Sequence, residues 1–254
     1  MKIKLLGTGT SQGVPVMGCD CEVCLSSNLK DKRLRTSALI TDGQTAVCID
    51  TGPDFRQQLL LANTKRLDAI LLTHEHNDHI IGIDDIRPFV FRQNMDMPVY
   101  GLKRVLDDLK KRFAYTFSES PYAGVPRIRT HEILPFDTFK ISNIPIQSLD
   151  ILHGNLNILG YLFHDFCYIT DASYLPNETI EKIKGVKFLV INALHHEKHH
   201  THFNLKTALE MIEIIQPQTA VLTHISHHMG LYDEVSKSLP SNVILGYDGL
   251  EINL

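Results

Sequence analysis

Thr73-His74-Glu75-His76-Asn77-Asp78-His79 places four metal-capable side chains within six residues. It follows the apolar run Leu67-Asp68-Ala69-Ile70-Leu71-Leu72, which reads as a buried strand. His74 and His76, two apart at a strand end, point to the same side. Asp78 and His79 fall in a turn beyond, where the chain can fold back towards that side. Imidazole and carboxylate at this spacing are the ligand types that a hydrolytic metal takes. The bland alternative is a polar turn that happens to be rich in histidine. One tetrahedral ion needs three or four ligands and a pair of ions needs more. Further ligands must therefore come from elsewhere in the chain.

Three residues sit in equivalent places, each at the carboxyl end of an apolar, β-rich run. His153 follows Ile144 to Leu152, Asp171 follows Phe166 to Thr170, and His224 follows Thr219 to Thr223. Singly, such a residue is more often a surface or helix-capping one, and Asp171 could start the helix near Pro176-Asn177-Glu178. Their recurrence at strand ends links them to the first motif. Cys19, Cys21 and Cys24 form a separate C-x-C-x-x-C cluster in a loop punctuated by Gly18. Three thiols this close suit a soft metal, and a disulfide is the competing reading. The start Met1-Lys2-Ile3-Lys4-Leu5-Leu6 reads as a short strand with no charged-then-apolar leader, so a cytoplasmic location is expected, where disulfides are rare. Five cysteines also leave one over in any disulfide scheme. Cys48 and Cys167 lie in apolar strand runs and read as core.

The 254 residues, 43% hydrophobic, suffice for a sizeable core, and no Pro/Gly/Ser-rich linker divides them. No run approaches the ~20 apolar residues of a membrane span. A formal charge of −4 argues against a surface devoted to nucleic acid. Strands are predicted near 2–6, 37–41, 45–49, 68–72 and 97–100, then 138–142, 145–151, 158–163, 166–170, 187–191, 219–222 and 243–246. Helices are predicted at 54–63, 83–91, 102–112, 176–184, 204–215 and 231–238. This much says only mixed α and β.

The set His74, His76, Asp78, His79, His153, Asp171 and His224 resembles the metallo-β-lactamase fold superfamily of metallohydrolases. Within it, three segments are similar to the phosphoribosyl 1,2-cyclic phosphate phosphodiesterases: Leu5 to Pro15, Gly18 to Cys24, and Leu222-Thr223-His224-Ile225-Ser226-His227. The ending Gly246 to Ile252 also matches. The resemblance implies an α/β (α+β) fold of αββα type: two mixed sheets facing each other, flanked by helices, in one domain over residues 1–254. It implies two divalent ions, zinc or manganese. His74, His76 and His153 would hold the first, Asp78, His79 and His224 the second, with Asp171 bridging. It supplies His227 as the fourth ligand of a structural zinc on Cys19, Cys21 and Cys24.

Cleaving a phosphodiester also requires protonation of a leaving alkoxide, and histidine suits that at neutral pH. The stretch His195-His196-Glu197-Lys198-His199-His200-Thr201-His202 could be a solvated loop or an adventitious metal tract. The family places a general acid just before the following helix, which selects His202, with His200 as runner-up. His202 and Asp78 are thus the implied catalytic residues, while His195, His196 and His199 read as solvent-facing. Arg87 and Arg56 are candidate phosphate contacts. The glycines at 7, 9 and 13 do not follow dinucleotide-binding spacing and are expected to let backbone pass close to the metal site. The leading reading is a metal-dependent phosphodiesterase acting on a small phosphate ester, as a homodimer, with no membrane or nucleic-acid partner. Its rivals are a tRNA 3′-end processing endonuclease and a non-catalytic accessory protein of cofactor biosynthesis. The complete ligand set argues against the latter. The lack of a basic protruding arm argues against the former.

Overall fold

A computed structural model of the chain describes residues 1–118 and 124–254. The first sheet is built from β1 (Lys2–Gly7), β2 (Ser37–Thr41), β3 (Ala46–Ile49), β4 (Ala69–Leu71), β5 (Met97–Gly101) and β6 (Ile128–Glu132). The second comprises β7 (Thr138–Ile141), β8 (Ile144–His153), β9 (Leu156–Phe163), β10 (Phe166–Tyr168), β11 (Phe188–Asn192), β12 (Thr219–Thr223) and β13 (Val243–Leu245). β14 (Glu251–Asn253) returns to the first sheet, antiparallel to β1. The helices are α1 (Glu22–Leu25), α2 (Phe55–Leu61), α3 (Asn77–Ile80), α4 (Arg87–Gln93), α5 (Lys103–Arg112), α6 (Asn177–Ile183), α7 (Leu205–Ile215) and α8 (Tyr232–Ser238).

Each sheet changes character along its width. β1, β2 and β3 pair antiparallel, then β3 to β6 run parallel. β7 to β10 pair antiparallel, then β10 to β13 run parallel. The inner parallel strands β3, β4, β10 and β11 are short and almost continuously apolar because both of their faces are covered. Alternation along the strands sorts the cores. Val47, Ile49, Ala69 and Leu71 face Leu159, Tyr161, Tyr168 and Val221 between the sheets. Cys48 and Ile70 instead pack outward against Phe55 and Leu59 of α2, Val90 of α4 and Leu106 of α5. Cys167, Leu189 and Leu222 pack outward against Ile183 of α6, Ala208 and Ile212 of α7 and Val235 of α8. The αββα sandwich is therefore the observed architecture.

The structure departs from the sequence reading in a few places. Asp78 and His79 lie in α3, not in a turn; a four-residue helix is too short to show a period. The expected helix 83–91 is a 3₁₀ turn, Ile83–Ile86, followed by α4, because Pro88 falls in the first turn of a new helix. β6, reading Ile-Arg-Thr-His-Glu, and β14 escaped notice as short edge strands without apolar alternation. Among the described residues, no helix is long and apolar enough to cross a membrane.

Candidate metal centre

The carboxyl ends of β3, β4, β8, β10 and β12 converge at one edge of the sandwich. His74 follows β4, His153 ends β8, Asp171 follows β10 and His224 follows β12. His76 is exposed, whereas His74, His79, Asp171 and His224 are buried. The ligand-capable atoms of His74, His76 and His153 lie within 4.8 Å of one another. So do those of Asp78, His79 and His224, of His74, His79 and Asp171, and of His153, Asp171 and His202. All seven residues singled out in the sequence thus meet at one place, with Asp171 belonging to both halves.

The side chains are oriented from behind. His79 Nδ1–H donates to Asp50 Oδ2 at 2.7 Å, which turns Nε2 towards the cluster. Asp50 also accepts the Thr73 amide and hydroxyl, each at 2.8 Å. The same hydroxyl lies 3.0 Å from His74 Nδ1, leaving Nε2 to face inward, 3.0 Å from Nδ1 of His76. His153 Nδ1–H donates to the Thr201 carbonyl at 2.8 Å. Such outer partners fix tautomer and ring direction in metal sites. Asp50 was missed in the sequence, although it ends the apolar run of β3 just as Asp171 ends that of β10.

Backbone strain marks the same positions. Asp50, Asp171 and His224 have φ of 61°, 56° and 53°, the left-handed region. That conformation costs an L-residue on the order of 1–2 kcal/mol, and such strain clusters at functional sites. A glycine matters nearby: a Cβ at Gly52 would sit 2.1 Å from the Asp78 carbonyl. The loop after β3 can therefore lie flush against the motif, and Thr51 N–H donates to the His79 carbonyl at 2.6 Å. Gly7 and Gly9 pack against the backbone of Arg33 to Arg35, and between them and just after the chain pairs with Ile225, the residue after His224. Ile225 N–H donates to the Thr8 carbonyl at 2.8 Å and Thr10 N–H to the Ile225 carbonyl at 3.1 Å, so this glycine run does pass beside the loop that carries His224.

The electrostatics suit divalent cations. His79 Nε2 lies 3.2 Å from Asp78 Oδ2 and 3.3 Å from Asp171 Oδ2, and His224 Nε2 lies 3.0 Å from Asp171 Oδ1. Neither nitrogen is aligned for a hydrogen bond, and both are buried without a hydrogen-bond partner. Nitrogen and oxygen donors that crowd together yet do not bond to each other are suited to a shared cation. Burial alone would raise Asp171, but the imidazoles of His224 and His79 outweigh it and hold the carboxyl well below its usual range. Burial alone would lower His224, but the Asp171 carboxylate lifts it to about 9. Burial lowers His74 well below the usual imidazole range, which keeps it neutral and able to donate a lone pair. The buried carboxylates thus draw positive charge onto His79 and His224, which bound cations would replace, while His74 stays neutral.

His202 lies against this cluster. Its Nε2 is 2.9 Å from Asp171 Oδ1 and its Nδ1 is 2.9 Å from the Thr201 hydroxyl. Burial pushes it down to about 4. His200 is exposed, as are His196 and His199; His195 is half-buried, contrary to its solvent-facing reading, because Leu205 N–H of α7 bonds back to its carbonyl and seats it against the fold. Arg87 pairs with Asp84 at 2.8 Å, and Arg56 lines a groove between α2 and α4.

The second constellation also assembles. His227 Nδ1 lies 3.3 Å from the sulfurs of Cys19 and Cys21 and 3.5 Å from that of Cys24. The Cys24 N–H bonded to its sulfur, at 3.4 Å, pulls Cys21 down to about 6, so a thiolate is accessible at neutral pH. Cys₃His is a donor set for a closed, four-coordinate ion. Cys48 and Cys167 are fully buried in the sheets.

Comparison with known proteins agrees with this geometry. A family model described as a β-lactamase superfamily domain matches residues 45–225. The crystal structure of a diphosphatase from the PhnP family superposes with a TM-score of 0.93 at 34% identity, covering 100% of this chain and 97% of that one. Zinc-bound PqqB from Methylobacterium extorquens shares the fold, with a TM-score of 0.83 at 17% identity and full coverage of both chains. An octanoyltransferase from Porphyromonas gingivalis is 42% identical over 253 residues, which is 99% of this chain but 51% of that protein. This chain thus spans about half the length of the curated relatives it matches. It belongs to the β-lactamase superfamily and, by its identity with the diphosphatase over both chains, to the PhnP family within it.

Proposed function

We propose that this chain is a two-ion phosphodiesterase acting on a small molecule, with a cyclic phosphate such as phosphoribosyl 1,2-cyclic phosphate as the favoured substrate. In this reading His74, His76 and His153 hold one divalent ion, Asp78, His79 and His224 hold the other, and Asp171 lies between them. The observation that carries it is the placement of Asp171: its carboxylate lies within 4.8 Å of ligand atoms of His74 and His153 on the first-ion side, and 3.3 Å from His79 and 3.0 Å from His224 on the second. Two divalent ions, zinc or manganese, would supply a water of lowered pKa and neutralise phosphoryl charge.

The chain's own residues do the rest. Asp50 and Thr201 keep His79 and His153 in the tautomers that leave their Nε2 atoms free. His202 is neutral at pH 7 in the free protein, because burial holds it near 4. An arriving phosphate anion favours its protonated form, and His202 then delivers that proton from Nε2 to the leaving alkoxide. Cys19, Cys21, Cys24 and His227 hold a structural zinc that fastens the N-terminal loop beside the loop carrying His224. The working form is taken to be a cytoplasmic homodimer with no nucleic-acid or membrane partner.

A second reading has one observation in its favour. The 34% identical relative is described as a diphosphatase, so the bond cleaved here would be a phosphoanhydride. The octanoyltransferase relative supports neither reading, since about half of that protein lies outside the match. The test is a screen of metal-defined protein on cyclic phosphodiesters, linear phosphodiesters, diphosphate esters and a precursor tRNA. Turnover of cyclic or linear diesters in preference to the others supports the first reading; selective diphosphate cleavage replaces it with the second.

A further inference from the structure

The two residues of the motif that cannot ligate inward, Glu75 and Asn77, are both held from outside by α5. Glu75 alternates with His74 and His76 and so points away from the ion-facing side. Arg104, in the first turn of α5, meets it with two hydrogen bonds: Nε to Oε1 at 2.7 Å and Nη2 to Oε2 at 3.0 Å. The same Nη2 donates to the carbonyl of Asn157 at 2.8 Å. Asn157 lies in β9, directly across the hairpin from Leu152, the neighbour of His153. Arg112, at the other end of α5, donates to the Asn77 side chain, beside Asp78.

One guanidinium therefore joins the loop carrying His74 and His76, which belongs to the first sheet, to the hairpin carrying His153, which belongs to the second. We infer that Arg104 is a positioning residue that sets the separation of the His74/His76 pair from His153, and so governs affinity for the ion proposed between them. This rests on the two-ion reading above. The guanidinium is planar and forked, so it fixes direction as well as distance; a lysine supplies the charge without the fork. The pair is partly exposed, with side-chain exposures of 39% for Arg104 and 17% for Glu75. Exposed ion pairs contribute little to folding stability. Its effect should therefore appear in metal affinity and not in the stability of the metal-free protein. α5 buries Val105, Leu106 and Leu109 along one face, while Arg104 in its first turn and Arg112 at its end brace the motif.

The experiment is a zinc titration, against a competing chelator, of metal-stripped wild type, Arg104→Ala, Arg104→Lys and Glu75→Gln. Melting temperatures of the metal-free proteins are measured alongside. The expected result is that Arg104→Ala weakens one of the two cluster ions by roughly 10–100-fold, the usual effect of losing an outer-shell partner. The other ion keeps wild-type affinity, and the metal-free melting temperature is nearly unchanged. Arg104→Lys and Glu75→Gln should fall between. Wild-type affinity for both ions in Arg104→Ala overturns the inference. Equal weakening of both ions together with a lower metal-free melting temperature also overturns it, since that reports general destabilisation. A wild type that takes up fewer than two cluster ions overturns the two-ion reading itself, and the Arg104 assignment with it.

Discussion

Asp50 Oδ2 lies 2.7 Å from Nδ1 of His79, and both residues are buried, so a carboxylate that touches no proposed ion fixes the direction of an imidazole that faces one. Asp50 also takes both hydrogen bonds that Thr73 can offer, which ties the start of the motif to its end. Replacing Asp50 by Ala should weaken the ion at Asp78, His79 and His224 by roughly 10–100-fold. Asp50→Asn, which keeps the shape but loses the charge, should fall between. Chelator competition measures both. Unchanged ion affinity in Asp50→Ala would show that His79 needs no support from behind.

Asp171→Ala removes the side chain shared by both halves of the cluster. The variant should lose at least one ion by elemental analysis and nearly all turnover. Retention of full metal content and full activity would refute its bridging role.

Cys21→Ser should lower the melting temperature more than it alters turnover, because a closed structural site contributes folding free energy. The wild type should also retain one zinc after mild chelation has removed the cluster ions. A protein with no chelation-resistant zinc, or one whose Cys21→Ser variant melts like wild type, contradicts the assignment.

His202→Ala should keep both cluster ions, since His153, Asp171 and His224 remain in place. Its rate should fall by roughly 10²–10⁴-fold on a substrate with an alkoxide leaving group. On p-nitrophenyl esters, whose leaving group departs without a proton, the loss should be small. Equal losses on both substrates count against proton donation. Leaving-group dependence confined to His200→Ala moves the role two residues earlier.

The pattern of short apolar runs ended by polar residues disclosed only mixed α and β, and the sandwich followed from the family resemblance that those polar residues carry. Those same ends carry His74, Asp171 and His224, so fold and candidate site were legible together. Asp50 obeys the same rule and was passed over, since the search favoured residues that ligate directly. The bracing by Arg104 could not be read, because its partners Glu75 and Asn157 lie 29 and 53 residues away and become neighbours only when the sheets face each other. α3 went unread because one helical turn has no periodicity. The His-rich loop was ambiguous for another reason: which imidazole reaches Asp171 depends on how Phe203 and Leu205 seat α7, a packing property that spacing does not encode.

The most direct test of the central claim is to strip the protein of metal and titrate it with zinc and, separately, manganese. Bound ions and hydrolysis of a cyclic phosphodiester are followed in the same samples. The account predicts that hydrolysis is absent without cluster ions and rises as the second of them binds. Hydrolysis by metal-free protein, or a fully loaded two-ion cluster that cleaves no phosphodiester, would contradict it.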